Sequence, residues 1–157
     1  MVENDLIIRE FNLGDIDSVL DIENKSFSEK MRYDREIFIK LYRRNPDLFL
    51  VAQYRDRIVG YIIASHIEDF GHIISIAVHP NYRNRGIGSK LLNAIEDKLL
   101  SKGVRLISLE VSVSNNTALK LYRKHGYEPV KILKNYYGHE DAVLMIKYLE
   151  NKNNQSY

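Results

Sequence analysis

The chain reads as an α/β protein of the α+β kind with element order βααβββαβαββ, seven strands and four helices, and three observations carry that reading. Short β-branched runs such as "LIIREF", "GHIISIAV" and "RLISLEVSV" have the length and composition of strands. Between such runs stand segments whose apolar residues recur at the helical period, the longest passing through Ile87, Leu91, Leu92, Ile95, Leu99 and Leu100. At 157 residues, 45% hydrophobic and 28% charged, the chain has the size and composition of a single domain with a sizeable core.

Each element has its own signal. "LIIREF" at 6–11 is the first strand, and Gly14 with Asp15 opens "DIDSVLDIENKSF", whose Ile16, Val19, Leu20, Ile22 and Phe27 suit one helix face. "DREIFIKLYRR" starts at an Asp34 cap and stops before Asn45 and Pro46, because the residue before proline avoids helical geometry. "LFLVAQYRDRIVGYIIAS" gives two strands around a turn at 55–57, and "GHIISIAV" extends them into an antiparallel meander. The long third helix stops at Gly103. "RLISLEVSV" is a strand, "NNTALKLYRKHG" a capped helix closing on Gly126, and "YEPVKILK" and "AVLMIKYL" are the last two strands. Residues 1–150 are expected to form one domain, and the polar "NKNNQSY" at 151–157, without apolar periodicity, a frayed tail.

Composition excludes several classes of function. With 23 basic and 21 acidic residues the net charge is +2, and the basic clusters "LYRR" and "YRNR" are short, so neither nucleic acid nor an anionic membrane is an expected partner. Cysteine is absent, which removes disulfides, thiolate metal sites and a cysteine nucleophile. No window approaches the roughly 18 uninterrupted apolar residues of a membrane span, and a cytoplasmic protein is expected. His66, His72, His79, His125 and His139 are scattered, without the i, i+4 pair of a helical zinc site, so no metal is expected.

The stretch "HPNYRNRGIGSKLL" at 79–92 joins a strand to the longest helix. A helix N-terminus offers unpaired amides and the positive end of the macrodipole to an anion, and Gly86 and Gly88 allow close approach to the backbone. Arg83 and Arg85 add charge-assisted donors suited to a diphosphate. The spacing fits neither a Walker loop nor the Rossmann fingerprint. On spacing alone, a capped helix with surface arginines competes evenly with a phosphate site.

Arg83-x-x-Gly86-x-Gly88 after a strand, within this element order, resembles the acetyl-coenzyme A motif of the GNAT superfamily of N-acetyltransferases. The likeness runs from "LIIREF" to about Leu149. "SLEVSVSNNTALKLYRKHGYEPV" and "KNYYGHEDAVLM" further resemble the protein N-terminal acetyltransferases, including the ribosomal-protein alanine acetyltransferase. The resemblance implies a mixed, strongly twisted sheet whose fourth and fifth strands splay apart near "SIAV" and "LEVS" to admit the pantetheine arm. It implies acetyl-coenzyme A as co-substrate, its diphosphate on the amides of Arg83, Asn84, Arg85, Gly86, Ile87, Gly88 and Ser89. Main-chain groups of Ile76, Ala77 and Val78 would pair with the pantetheine. Asn115 and Tyr122 match further cofactor-contacting positions, with Ala118 one helical turn before Tyr122; without the resemblance, Asn115 reads as a helix cap and Tyr122 as a core aromatic.

The chemistry follows from the acceptor. An α-amino group with a pKa near 8 is about one-tenth neutral at pH 7, whereas a lysine amine is neutral in only about one molecule in a few thousand. Attack on a thioester still needs a base, a donor for the developing oxyanion and an acid for the thiolate. In "LISLEVSV", alternation puts Ser108, Glu110 and Ser112 on one face, with Glu110 as its only carboxylate. Glu110 matches the family's general base, which works through a water; a solvated strand glutamate is the alternative. His72 stands where some relatives carry an ionisable or tyrosine side chain, and is the second candidate. The resemblance has Tyr122 donate a proton to, or hydrogen-bond, the departing thiolate, gives the Val78 amide the role of oxyanion donor, and implies a direct attack without an acyl-enzyme.

The acceptor groove of the family lies between the loop after the first helix and the hairpin before the last strand, here Phe27 to Tyr33 and Tyr136, Tyr137 and Gly138. Paired tyrosines can hydrogen-bond a peptide backbone, or else cover the core. Many relatives carry proline after the phenylalanine of the first loop, where this chain has "FSEK". The expected activity is acetyl transfer to protein or peptide N-termini. Alternatives are a small-molecule or lysine amine N-acetyltransferase, or a catalytically silent coenzyme A-binding subunit. A ribosomal or auxiliary-subunit partner is left open, and the chain is expected as a monomer or weak homo-oligomer.

Overall fold

A computed structural model describes residues 3–150; the tail expected to fray, 151–157, lies outside the described residues. The elements are β1 (Leu6–Glu10), α1 (Ile16–Ser26), α2 (Arg35–Arg44), β2 (Phe49–Tyr54), β3 (Arg57–Ile67), β4 (Phe70–Val78), α3 (Ile87–Ser101), β5 (Leu106–Ser112), α4 (Asn116–Lys124), β6 (Glu128–Leu133) and β7 (Ala142–Tyr148). The strands form one seven-stranded sheet in the order β1-β2-β3-β4-β5-β7-β6. β4 and β5 pair in parallel, whereas β1 with β2, β2 with β3, β5 with β7 and β6 with β7 pair antiparallel, so the sheet is mixed.

Several element ends differ from the expectations, each for a local reason. Asn12 and Asp15 form a capping box around a short 3-10 turn, Leu13–Asp15, so α1 starts at Ile16 rather than at Asp15. It ends at Ser26, and Phe27 turns extended at φ −126° while its N–H still donates to the Glu23 carbonyl. Asp34 caps α2 through the Ile37 amide as expected, and Pro46 opens a further 3-10 turn once the helix has stopped. β6 begins at Glu128, one residue later than expected. As an edge strand it tolerates Pro129, whose missing N–H coincides with a register shift between Pro129 and Lys131.

The described residues group into two compact units: 3–65 with Ile74–Asp97, and His66–Ile73 with 98–150. In the first, Phe11, Ile16, Val19, Ile22, Phe38, Phe49, Val51, Tyr61, Ile63 and Ala77 form a continuous buried cluster, with Phe27 and Tyr33 packed against it. Ile87, Leu91, Leu92 and Ile95 of α3 are buried on the face the helical period predicts. Gly60 on β3 allows that helix to come close, since a Cβ there would lie 3.1 Å from Leu91 Cδ1 and from the Ala77 carbonyl oxygen. In the second unit β5 alternates as expected up to Val111, with Ile107, Leu109 and Val111 buried and Ser108 and Glu110 partly open on the other face, but Ser112, expected with them, is buried. No helix of the described residues is long and apolar enough to cross a membrane.

Candidate active site

The second unit holds the residues expected to carry the chemistry. Its ladder of β4 on β5 pairs Phe70 with Leu106, Gly71 with Ile107 and His72 with Ser108. Glu110 lies two residues beyond Ser108 on the same face, so its carboxylate can reach back to the imidazole of the neighbouring strand. His72 Nε2 stands 2.6 Å from Glu110 Oε2. The side chains are 39% and 20% exposed, so the pair is held by the sheet and still reachable from solvent. With Glu110 as carboxylate, Nε2–H is the donor and the imidazole plane is fixed. Two residues weighed as competing bases are therefore one hydrogen-bonded pair.

Tyr122 is buried on α4, edge-on to Tyr127 at 5.9 Å. Burial, reinforced by Tyr137, pushes its hydroxyl well above the ordinary phenol range, so it keeps its proton around neutral pH. Such a group stays protonated and can donate a hydrogen bond, while its raised pKa makes it a weaker acid than a free phenol. Asn115 caps α4 by accepting from the Ala118 N–H at 3.2 Å, and Ala118 stands one turn before Tyr122.

The hairpin between β6 and β7 carries Tyr136 and Tyr137, whose rings meet edge-on at 4.9 Å. Tyr136 is 49% exposed, so it does not serve as a core cover. Partial burial and then the charge of Glu110 raise its hydroxyl pKa, which puts this tyrosine within electrostatic reach of the candidate base. Hydrogen bonds cross the tip: Tyr137 N–H donates to the Glu140 carbonyl at 3.1 Å, Gly138 N–H to that of Asn135 at 3.0 Å, and Asn135 N–H to the Asp141 carboxylate at 2.7 Å. Glu140, which sequence reasoning did not single out, accepts from Ser114 and Ser112, and these bonds hold its carboxyl below the usual range. They tie the hairpin to the end of β5. Two acidic residues after paired tyrosines were the only sequence signal.

The first unit holds the loop read as a phosphate site. His79 caps a 3-10 turn at Pro80–Tyr82, Asn84 and Gly86 take left-handed φ of 62° and 78°, and α3 starts at Ile87. Lys90 N–H donates to the Gly86 carbonyl, which makes Gly86 the N-cap. The amides of Ile87, Gly88 and Ser89 thus come before the first intrahelical bond. Arg83 Nε donates to the Val78 carbonyl at 3.0 Å and its NH2 group to Ser26 Oγ at 3.2 Å, while the Arg85 guanidinium sits 5.4 Å from the centre of the Tyr82 ring. Both arginines remain exposed. Ile76, Ala77 and Val78 close β4, and the amide of the following His79 is bonded to Val59 of β3 at 2.8 Å. Phe27 and Tyr33 begin and end the loop after α1, half-buried against the core of this unit. Among the described residues no group of three or more histidine, cysteine, aspartate or glutamate side chains could hold a metal ion.

Comparison with known proteins agrees with this fold. The model of the acetyltransferase (GNAT) family matches residues 16–127. An uncharacterized N-acetyltransferase of Methanocaldococcus jannaschii is 40% identical over 144 residues, covering 90% of this chain and 91% of the relative. An N-alpha-acetyltransferase of Sulfurisphaera tokodaii is 34% identical over 152 residues, covering 88% of this chain and 90% of that one. The crystal structure of Ard1 from Thermoplasma volcanium superposes with a TM-score of 0.89 at 30% identity, over 94% of this chain and 99% of that one. Matched by the family's model over most of its length and sharing its fold, the chain belongs to the GNAT family of acetyltransferases.

Proposed function

We propose that this acetyltransferase moves acetyl from acetyl-coenzyme A to the α-amino group of protein N-termini by direct attack, residues 1–150 acting as one catalytic domain. The observation that carries the reading is the His72–Glu110 pair at 2.6 Å, a base with its own orienting partner. The name of the Sulfurisphaera relative, an N-alpha-acetyltransferase, supports the acceptor class.

Acetyl-coenzyme A fits the residues present. The left-handed turn at Gly86 and the amides of Ile87, Gly88 and Ser89 suit a diphosphate, with Arg83, Asn84 and Arg85 around it, and Ile76, Ala77 and Val78 offer main-chain groups to the pantetheine. Asn115, Ala118 and Tyr122 are the further contacts on α4. Bound, the thioester supplies an activated acetyl group. Glu110 then takes a proton from the acceptor ammonium, with His72 holding the carboxylate in place and sharing the charge. The Val78 N–H would supply the donor for the developing oxyanion, and Tyr122, which keeps its proton, would hydrogen-bond or protonate the leaving sulfur. Phe27 and Tyr33 of the first unit and Tyr136 and Tyr137 of the second are the residues that would receive the peptide.

The test is coenzyme A release across peptides varied in their first two residues, with free polyamines and peptides bearing only a lysine side-chain amine as controls. Turnover of peptides with free N-termini, at least about tenfold more efficient than of either control, is expected. Polyamine as the preferred acceptor would replace this reading with a small-molecule acetyltransferase.

A further inference from the structure

We propose that Glu23 is a positioning residue for the acceptor: its side chain closes the loop between α1 and α2 into the shape that receives the incoming amine. This rests on that loop being an acceptor wall, as the proposed function has it.

Glu23 lies on the core face of α1 with Val19 and Ile22, and is 1% exposed. Carboxylates are rarely buried, because desolvation disfavours the charged form, and here burial raises the Glu23 pKa against the bonds it accepts. An apolar residue at this point of the helix would pack without that cost. The carboxylate does something an apolar residue cannot. Oε1 accepts from the Tyr33 N–H at 3.1 Å, and Oε2 accepts from the Tyr61 hydroxyl. The main-chain carbonyl of the same residue accepts from the Phe27 N–H at 3.0 Å. One residue therefore holds the loop at its first position and again near its last.

Between those ends the loop is cross-braced, Arg32 Nε donating to the Phe27 carbonyl at 2.9 Å and Met31 N–H to that of Ser28 at 2.9 Å. The Tyr33 ring stands edge-on to Phe38 at 5.9 Å, and Phe38 edge-on to Tyr61 at 5.6 Å. On its far side the Tyr61 hydroxyl lies 3.1 Å from Ser75 Oγ. Ser75 immediately precedes Ile76, Ala77 and Val78 on β4. A single chain of hydrogen bonds thus runs from the Tyr33 amide through Glu23 and Tyr61 to Ser75, next to the stretch of β4 proposed to read the pantetheine. It indexes the acceptor loop against the cofactor strand within one unit.

The experiment is steady-state kinetics at saturating acetyl-coenzyme A, on whichever acceptor the wild type turns over, with acetyl-coenzyme A affinity and thermal stability measured alongside. Glu23→Asp keeps the charge but withdraws it by one methylene, and should raise acceptor KM about tenfold with kcat within about twofold and cofactor affinity unchanged. Glu23→Gln can accept from the Tyr33 amide and donate to Tyr61, which then donates to Ser75, and should stay within about twofold of wild-type KM. Tyr61→Phe frees one carboxylate oxygen and should raise KM about threefold. An unmoved KM in Glu23→Asp overturns the proposal. So does a joint change of KM, kcat and cofactor affinity that tracks lost stability, which is what a purely structural glutamate gives. Should Glu23→Asp fail to fold, Tyr61→Phe decides alone by the same criteria. A wild type that acetylates small amines and no peptide overturns the function reading instead, and the Glu23 test is then read on the KM of that amine.

Discussion

Replacing Glu110 by glutamine tests the base most directly, because the change is nearly isosteric and the amide oxygen can still accept from His72 Nε2, 2.6 Å from the carboxylate in the native pair. Fold and acetyl-coenzyme A affinity should therefore be preserved. Two losses then multiply. Without a base only the amine already neutral in solution can react, about one-tenth of an α-amino group at pH 7, which costs about tenfold. Losing proton transfer in the transition state costs a further factor of about 10 to 100, so kcat should fall by roughly 10² to 10³. At pH 9 the first factor vanishes and the deficit should shrink about tenfold. His72→Asn should cost less, since the carboxylate remains. Because the two side chains act as a hydrogen-bonded pair, the double variant should be no more than about threefold worse than Glu110→Gln alone. The assay is coenzyme A release from pH 6 to 9.5, with cofactor affinity by calorimetry. A silent Glu110→Gln would falsify the assignment. A crippling His72→Asn beside a mild Glu110→Gln would reverse it, and additive losses would show that the pair is not a unit.

Three further outcomes are expected. Gly86→Val meets nothing within 4 Å of its Cβ but must adopt φ +78°, so it should fold yet lose the cofactor-induced thermal shift, worth about 2.7 kcal/mol at a hundred times Kd in the wild type; an undiminished shift in a differential scan would remove this loop from the site. Tyr136→Phe with Tyr137→Phe should lower peptide kcat/KM by an amount equivalent to about 1 to 3 kcal/mol and leave any small-amine turnover unchanged, and equal losses on both acceptors would refute a peptide-binding hairpin. Burial of Asp15 works against its charge, but the Arg9 guanidinium, bonded to both its oxygens at 2.8 Å, and the Asn12 N–H outweigh that and hold its pKa below the usual carboxylate value. A depressed carboxylate stabilises the fold above its unfolded pKa and loses that contribution as pH falls. Asp15→Asn should therefore cost about 1.5 to 3 kcal/mol in urea denaturation at pH 7, with the gap to wild type closing below about pH 4, and a gap independent of pH would contradict the ion pair.

The amino-acid order by itself determined what depends on neighbours along the chain. The seven strands and four helices, the Asp34 and Asn115 caps, the stops near Gly103 and Gly126, and the face of β5 that carries Glu110 all follow from local dihedral preferences and from periods of two or 3.6 residues. Gly86 and Gly88 were legible as a pair that admits close approach to the backbone, but only the structure shows that Gly86 takes left-handed φ while Gly88 lies inside α3. The tertiary structure decided what depends on register and burial. β7 lies between β5 and β6, although β6 comes first along the chain, and no local signal encodes that order. Alternation gave Glu110 a face but no partner, and His72 became its partner because a parallel ladder sets that histidine opposite Ser108, 36 positions later. Glu23 is the sharpest case. On one strand of text it is a helical glutamate that a solvated surface would suit, and only the packing of α1 on β3 and of the loop on α1 buries it and turns its two oxygens into the fastening of a loop. Local sequence sets which way a side chain points; which donor waits there is fixed by segments distant in the chain.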